Sequence, residues 1–152
     1  MKLLVQRVQN ASVAVEGRVI GEIGKGYLVL LGACENDTTD TADKMMAKLV
    51  KLRIFEDENG KLNRSLKEVG GEILAVSQFT LYADASHGRR PSFTQAAPGA
   101  ISEPLYEYFV QQLRNQGLHV ETGRFGADMK VSLINDGPVT ILLEQPAPKS
   151  AF

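Results

Sequence analysis

Apolar and polar residues alternate from the start of the chain. Leu3, Val5, Arg7 and Gln9 fall on one side of an extended backbone, and Leu4, Gln6 and Val8 on the other. That period of two predicts a strand. Residues Ser12 to Glu16 and Arg18 to Ile23 read as two short strands around Gly17, a hairpin signal. Tyr27 to Leu31 is a continuous apolar run, which predicts a strand buried on both faces. The period then changes. Ala42, Met45, Met46, Leu49 and Leu52 recur at helical spacing over residues 39–52. Asp40 and Asp43 lie near the start of that segment, and Lys44, Lys48 and Lys51 lie further on, an order that suits the helix dipole.

Strands return at Arg53 to Phe55 and Gly71 to Phe79. Residues 82–100 form a long loop rich in Ala, Ser, Gly and Pro, a length that marks a functional or disordered segment. Ser102 is placed to cap a second helix, with Glu103 and Pro104 in its first turn and Gly117 just past its end. Met129 to Ile134 and Val139 to Leu143 read as strands on either side of Asn135-Asp136-Gly137-Pro138, a hairpin turn. Strands and helices do not alternate one for one. The pattern predicts an α+β fold, a mixed or antiparallel sheet or partly closed β-barrel with two main helices packed against it. Residues 1–145 read as one domain, and 146–152 as a loose C-terminal tail.

Composition narrows the class. The chain has 152 residues, 43% of them hydrophobic, enough for a core without metals or disulfides. The single cysteine, Cys34, follows Leu30-Leu31-Gly32-Ala33 at a strand end and reads as a small buried thiol. A formal net charge of −1 argues against gripping long nucleic acid through its backbone. It leaves open the binding of one RNA end, where few phosphates are met. No apolar run is long enough to cross a bilayer, and the alternating N-terminus is not a signal peptide. The expected location is the cytoplasm, with no membrane partner.

Two stretches place hydroxyl or amide groups at the edge of apolar runs. Ser77-Gln78-Phe79-Thr80-Leu81 follows the buried run Ile73 to Val76, and Asn135-Asp136-Gly137-Pro138-Val139-Thr140 interrupts another. Ser77 and Thr80 are either site groups or hydroxyls satisfying local backbone. No base stands near Thr80 in sequence. The chain's two histidines are His87, a loop residue readable as a base or phosphate contact, and His119, entering a strand and read as structural. No metal-ligand spacing appears, and neither a metal nor another cofactor is expected. Arg89 and Arg90 suit a phosphate and the nearby Phe93 a stacked base, or the two arginines simply face solvent.

In pairing and order these two stretches resemble the signature motifs of the D-aminoacyl-tRNA deacylases, and the likeness runs from Met1 to Glu144. It implies hydrolysis of the ester of D-aminoacyl-tRNA, and of mischarged glycyl-tRNA as a further substrate. It implies a homodimer with its sites at the subunit interface, meeting the aminoacyl-tRNA 3′ end. Ser77, Gln78, Phe79 and Thr80 would be the catalytic group. Gly137 and Pro138, cis-bonded in that family, would be a chirality gate that rejects L-aminoacyl-tRNA by backbone crowding. Arg7 and Thr140 would support the gate, and Phe125 and Met129 would line the adenosine pocket. Two mechanisms stay open: Thr80 as nucleophile, or backbone N–H groups near Phe79 and Thr80 holding the oxyanion while the ribose 2′-OH assists. Two other functions also stay open. One is hydrolysis of another small ester through Thr80, and the other is noncatalytic binding of an RNA end.

Overall fold

The computed structural model describes residues 1–146. Its organising strand is β1 (Lys2–Val15), which takes in both of the first two predicted strands. β1 turns at Glu16-Gly17 into β2 (Arg18–Ile23), and β3 (Gly26–Gly32) follows. The C-terminal half of β1 pairs with β2 and its N-terminal half with β3, both antiparallel. Helix α1 (Thr39–Lys51) comes next, closed at its start by a Thr38/Thr41 capping box, with Asp40 in its first turn and Lys48 and Lys51 in its last.

A small hairpin, β4 (Phe55–Glu56) and β5 (Leu62–Arg64), then leads to β6 (Glu72–Ser77), which lies parallel to β3. The expected strand at Arg53 to Phe55 therefore starts two residues later, at Phe55, and is paired locally. Parallel pairing requires a crossover, and α1 supplies it. The second crossover carries α2 (Gly99–Asn115) to β7 (Val120–Thr122), parallel to β6. α2 begins three residues before the predicted cap: Pro98 is the N-cap, and Ser102 sits inside, its hydroxyl donating to the Pro98 carbonyl.

Both helices lie on one face of the sheet. Tyr27, Val29 and Leu31 of β3 and Ile73 and Ala75 of β6 point into that layer, against Met45, Leu49, Phe109 and Leu113. The intervening residues, Leu28, Leu74 and Val76, point the other way, into a second cluster with Val8, Ala11 and Val13. Tyr27–Leu31 is thus buried on both faces, the reason its sequence does not alternate. The sheet rolls around the second cluster until β2 meets β7. A Cβ added at Gly21 would lie 2.7 Å from the Thr122 carbonyl oxygen, although the two strands do not pair. The result is an α+β fold, a mixed sheet nearly closed as a barrel with one seam.

The largest departure from the sequence pattern is at the C-terminus. The two predicted strands are one, β8 (Lys130–Glu144), antiparallel to β1 along its whole length. Asn135-Asp136-Gly137-Pro138 is not a hairpin turn, because the chain keeps its direction through it. The predicted tail, 146–152, lies outside the described residues apart from Pro146. Among the described residues no helix is long and apolar enough to cross a membrane.

Candidate active site

β6 delivers its C-terminal end to the rim of the sheet. The Gln78 N–H still donates to the Leu31 carbonyl, at 2.7 Å, but strand pairing stops at Ser77. The chain then winds into one turn of 3₁₀ helix, Phe79–Tyr82, so the predicted strand to Phe79 is two residues too long. The turn is closed behind by Leu81 N–H donating to Gln78 O (3.2 Å) and Ala83 N–H to Thr80 O (3.0 Å). Its front is open. No side chain caps it, and the N–H groups of Phe79 and Thr80 find no acceptor among the described residues. Such free donors are where a helical turn meets a negative charge.

Beneath this turn is a cavity of about 290 Å³, walled by Ser77, Gln78, Phe79, Ser102, Phe125 and Met129. The fold thereby brings together residues far apart in sequence. The Phe79 ring is 57% exposed and packs edge-on against Phe93, their centroids 5.1 Å apart. Phe125 is backed by Tyr106, whose hydroxyl donates to the Ala75 carbonyl on β6 at 2.7 Å. Burial pushes that phenol up to about 12. Tyr106 thus ties α2 to the strand that carries the site. Sequence reading missed it because its helical position looks like any other core aromatic. Thr80 does not line the cavity. Its Oγ1 accepts from the Gln78 side-chain amide, a group that cannot remove a proton. His87 is exposed in its loop. His119 is also exposed, 3.5 Å from Glu72 and 3.6 Å from Glu121, at the opposite end of β6. Cys34 is half-buried and free, less enclosed than its sequence predicts.

The second group of candidates forms a different construction. Gln6 pairs with Thr140 and Asn10 with Ile134, so three residues of β1 (7–9) face five of β8 (135–139). The two extra residues make Asn135–Val139 a bulge. The Asn135 side chain closes its neck: its Oδ1 accepts from Val139 N–H at 2.7 Å, and its Nδ2 donates to Thr140 Oγ1 at 2.9 Å. Arg7 holds the bulge from below, its Nε donating to the Asp136 carbonyl and its Nη1 to the Ile54 carbonyl, both at 2.8 Å. Arg7 is buried, not a solvent-facing strand charge. Glu56 lies 3.7 Å from it but is too exposed to contribute much. Gly137 and Pro138 are exposed at the crest, joined by a cis peptide, with Gly137 at φ 144°. Asn135 was visible in sequence only as a turn residue, which hid its bridging role.

Gly137 and Pro138 do not line the cavity; β8 reaches it six residues before Gly137, through Val131.

A cleft with unpaired backbone donors at its lip suits an enzyme that gathers negative charge on a carbonyl oxygen, an ester hydrolase. The family profile described as D-Tyr-tRNA(Tyr) deacylase matches residues 4–144, and the chain belongs to that family of hydrolases acting on ester bonds. It is 58% identical over 147 residues to a D-aminoacyl-tRNA deacylase of Chlorobaculum parvum, covering 96% of this chain and 99% of that one. It is 56% identical over 144 residues to a D-aminoacyl-tRNA deacylase of Symbiobacterium thermophilum, covering 95% of each. Among solved structures, one described as a c-Myc DNA unwinding element binding protein superposes with a TM-score of 0.91 at 46% identity, covering 97% of this chain and all of that one. Another, described as a probable eukaryotic D-amino acid tRNA deacylase, superposes at 0.83 over 93% of this chain and 97% of that one, with 18% identity, a likeness of fold alone.

Proposed function

We propose that this enzyme hydrolyses the ester joining a D-amino acid to the 3′ end of tRNA, releasing the free amino acid and free tRNA. The observation that carries the reading is the pair of free N–H groups, Phe79 and Thr80, at the lip of the cavity holding Phe125 and Met129. The terminal adenosine occupies the cavity, with its base against Phe125 and Met129. The ester carbonyl then lies under the two donors. Water attacks the carbonyl carbon, the developing oxyanion is held by the two N–H groups, and the ester C–O bond breaks with the ribose 2′-OH assisting proton movement. Each such donor is worth about 3 kcal/mol of barrier. Thr80 is not the nucleophile in this reading, because its hydroxyl is bonded to an amide and no base touches it. Ser77 and Gln78 shape the lip.

Gly137 and Pro138 act as the chirality gate. The bulge presents backbone where an L side chain would have to lie, and Arg7, Asn135 and Thr140 hold it rigid. A D side chain points away, and glycine has no side chain to clash, so glycyl-tRNA is also accepted. The gate reaches its target by assembly. The outer edge of β8 has no strand partner among the described residues, and Ile134 and Leu142 are exposed on it at 51% and 47%. A C₂ homodimer covers them and gives two equivalent sites, each a strand end of one copy beside the bulge of the other. The enzyme is then a proofreading deacylase of the cytoplasm, where its substrate is made. The test is incubation with matched D- and L-tyrosyl-tRNA and with glycyl-tRNA, following amino-acid release. The D form and glycyl-tRNA are hydrolysed and the L form is not. Equal rates on both enantiomers remove the gate, and no hydrolysis of either removes the enzyme's proposed substrate.

A further inference from the structure

The loop between the 3₁₀ turn and α2 is built as an arm. At its root Asp84 and Ser92 exchange both backbone hydrogen bonds, each 2.8 Å, an isolated antiparallel bridge. The Asp84 carboxylate is turned to its own loop, accepting the Ser86 N–H and hydroxyl at 2.9 and 2.6 Å, which hold it below the usual carboxylate range. Directly after the bridge, Phe93 packs on Phe79 at the cavity lip. The arm is therefore anchored to the site and not to the far side of the sheet. Residues 85–91 form its exposed tip, which carries His87, Arg89 and Arg90. Arg89 and Arg90 have no ion pair and no side-chain hydrogen bond among the described residues. Arg7, Arg53, Arg64 and Arg114 are engaged, whereas Arg18 and Arg124 also lack such a bond among the described residues; Arg89 and Arg90 differ in standing side by side on this arm.

Two unengaged guanidinium groups on an arm rooted at the cavity lip fit one ligand chemistry, the phosphodiester. We infer that Arg89 and Arg90 clamp the phosphates immediately preceding the terminal adenosine of the bound tRNA, an inference that rests on the function proposed above. The reach is suitable: Arg89 is three residues from Ser92, so its backbone lies within about 10 Å of the root. The arm's root touches Phe79, which walls the cavity, so the strand leading to a nucleoside held there comes within the arm's reach. Guanidinium forks bind phosphate oxygens in pairs. The arrangement also reconciles an overall charge of −1 with an RNA substrate, because only the few phosphates at one end need neutralising. Arg89 and Arg90 would be positioning residues, contributing to binding and not to the chemical step.

The test compares the wild type, Arg89→Ala/Arg90→Ala and Arg89→Lys/Arg90→Lys. Binding is measured with uncharged tRNA, and hydrolysis with D-tyrosyl-tRNA and with D-tyrosyl-adenosine, which has no phosphate. The alanine variant should bind uncharged tRNA about tenfold more weakly and show KM for D-tyrosyl-tRNA raised similarly, with kcat kept. Its slope of log(kcat/KM) against log salt should be shallower by about 1.4, two phosphates at about 0.7 each. The lysine variant should recover most of the loss, and D-tyrosyl-adenosine should be cleaved equally by all three. Unchanged tRNA binding and KM in the alanine variant overturn the clamp while leaving the deacylase intact. Equal losses on both substrates overturn it too, because the arm would then act through Phe93 on the cavity. Arginine-dependent tRNA binding without any hydrolysis supports the clamp and defeats the proposed reaction.

Discussion

The strand end at Ser77–Thr80 and the bulge at Asn135–Val139 both interrupt strand pairing, the first on a buried strand and the second on an edge strand, yet they are finished in opposite ways. At the strand end, backbone donors are left open at the lip of a cavity. At the bulge, the neck is bridged by Asn135 and the Asp136 carbonyl is taken by a buried Arg7. The first keeps unspent hydrogen-bonding capacity, which is what a developing charge needs. The second spends its capacity on rigidity, which is what steric exclusion needs. Rejection by backbone shape works only if the backbone cannot yield.

The largest expected effect joins the two regions. Ser77→Ala/Thr80→Ala and Gly137→Ala/Pro138→Ala variants, mixed after co-refolding, should yield heterodimers with one intact site built from the two wild-type halves. D-selective deacylation should then rise above the sum of the two separate preparations, of which the first is slowed and the second has lost selectivity. No rescue at any mixing ratio would place gate and lip in the same chain, and full selective activity from a verified monomer would do the same.

Arg7→Ala comes next. It leaves two carbonyls without their donor beneath the bulge, so urea unfolding should show a loss of about 2–4 kcal/mol. Discrimination between D and L substrates should fall as the bulge loosens. Stability lost with selectivity intact would mean that Arg7 serves only the core around Ile54.

On the strand-end side, Thr80→Ser should keep full activity and Thr80→Ala should lose less than about tenfold, since the Thr80 N–H survives both changes. Substrate ending in 2′-deoxyadenosine should be the slower one. Trapping an acyl group on Thr80 would reverse the assignment.

The smallest effects concern the scaffold under both regions. All four tyrosines have raised pKa values: Tyr27, Tyr82 and Tyr106 through burial, and Tyr108 first through its bond to Asp43. A phenol with a raised folded pKa contributes stability that is complete below its unfolded value, 10.0. That contribution is lost as pH rises through the folded value, about 12 for Tyr106. Native protein at pH 10 should therefore show little tyrosinate absorbance, while denatured protein shows half-titration. Ordinary titration in the native state would contradict the burial. Tyr27 adds a finer test. Its hydroxyl is buried without a partner among the described residues, so Tyr27→Phe should be neutral or stabilising by about 1 kcal/mol.

What the sequence determined by itself was local and periodic. The strand at Tyr27–Leu31, the helix over 39–52, which ends one residue earlier in the fold, and the α+β class follow from apolar spacing, because burial of one face or two is written directly into that spacing. The positions of Ser77 and Thr80 at a strand end were legible for the same reason. Pairing was decided elsewhere. Asn-Asp-Gly is a hairpin signal, yet here the chain runs straight on, because β1 is long enough to pair with both halves of β8 and the two surplus residues have only the bulge to go to. Ser102 lost the N-cap to Pro98 because the start of the helix was set by where the preceding loop joins the sheet, where Ala97 N–H bonds the Ala33 carbonyl. Arg7 alternates like any strand residue, and only the packing of Ile54 and the bulge around it made it a buried bracket. The cavity joins β6, α2 and the approach to β8 across some fifty residues of chain. Local preference acts over a few residues, whereas a site of this kind exists only where distant segments are brought into register by the sheet.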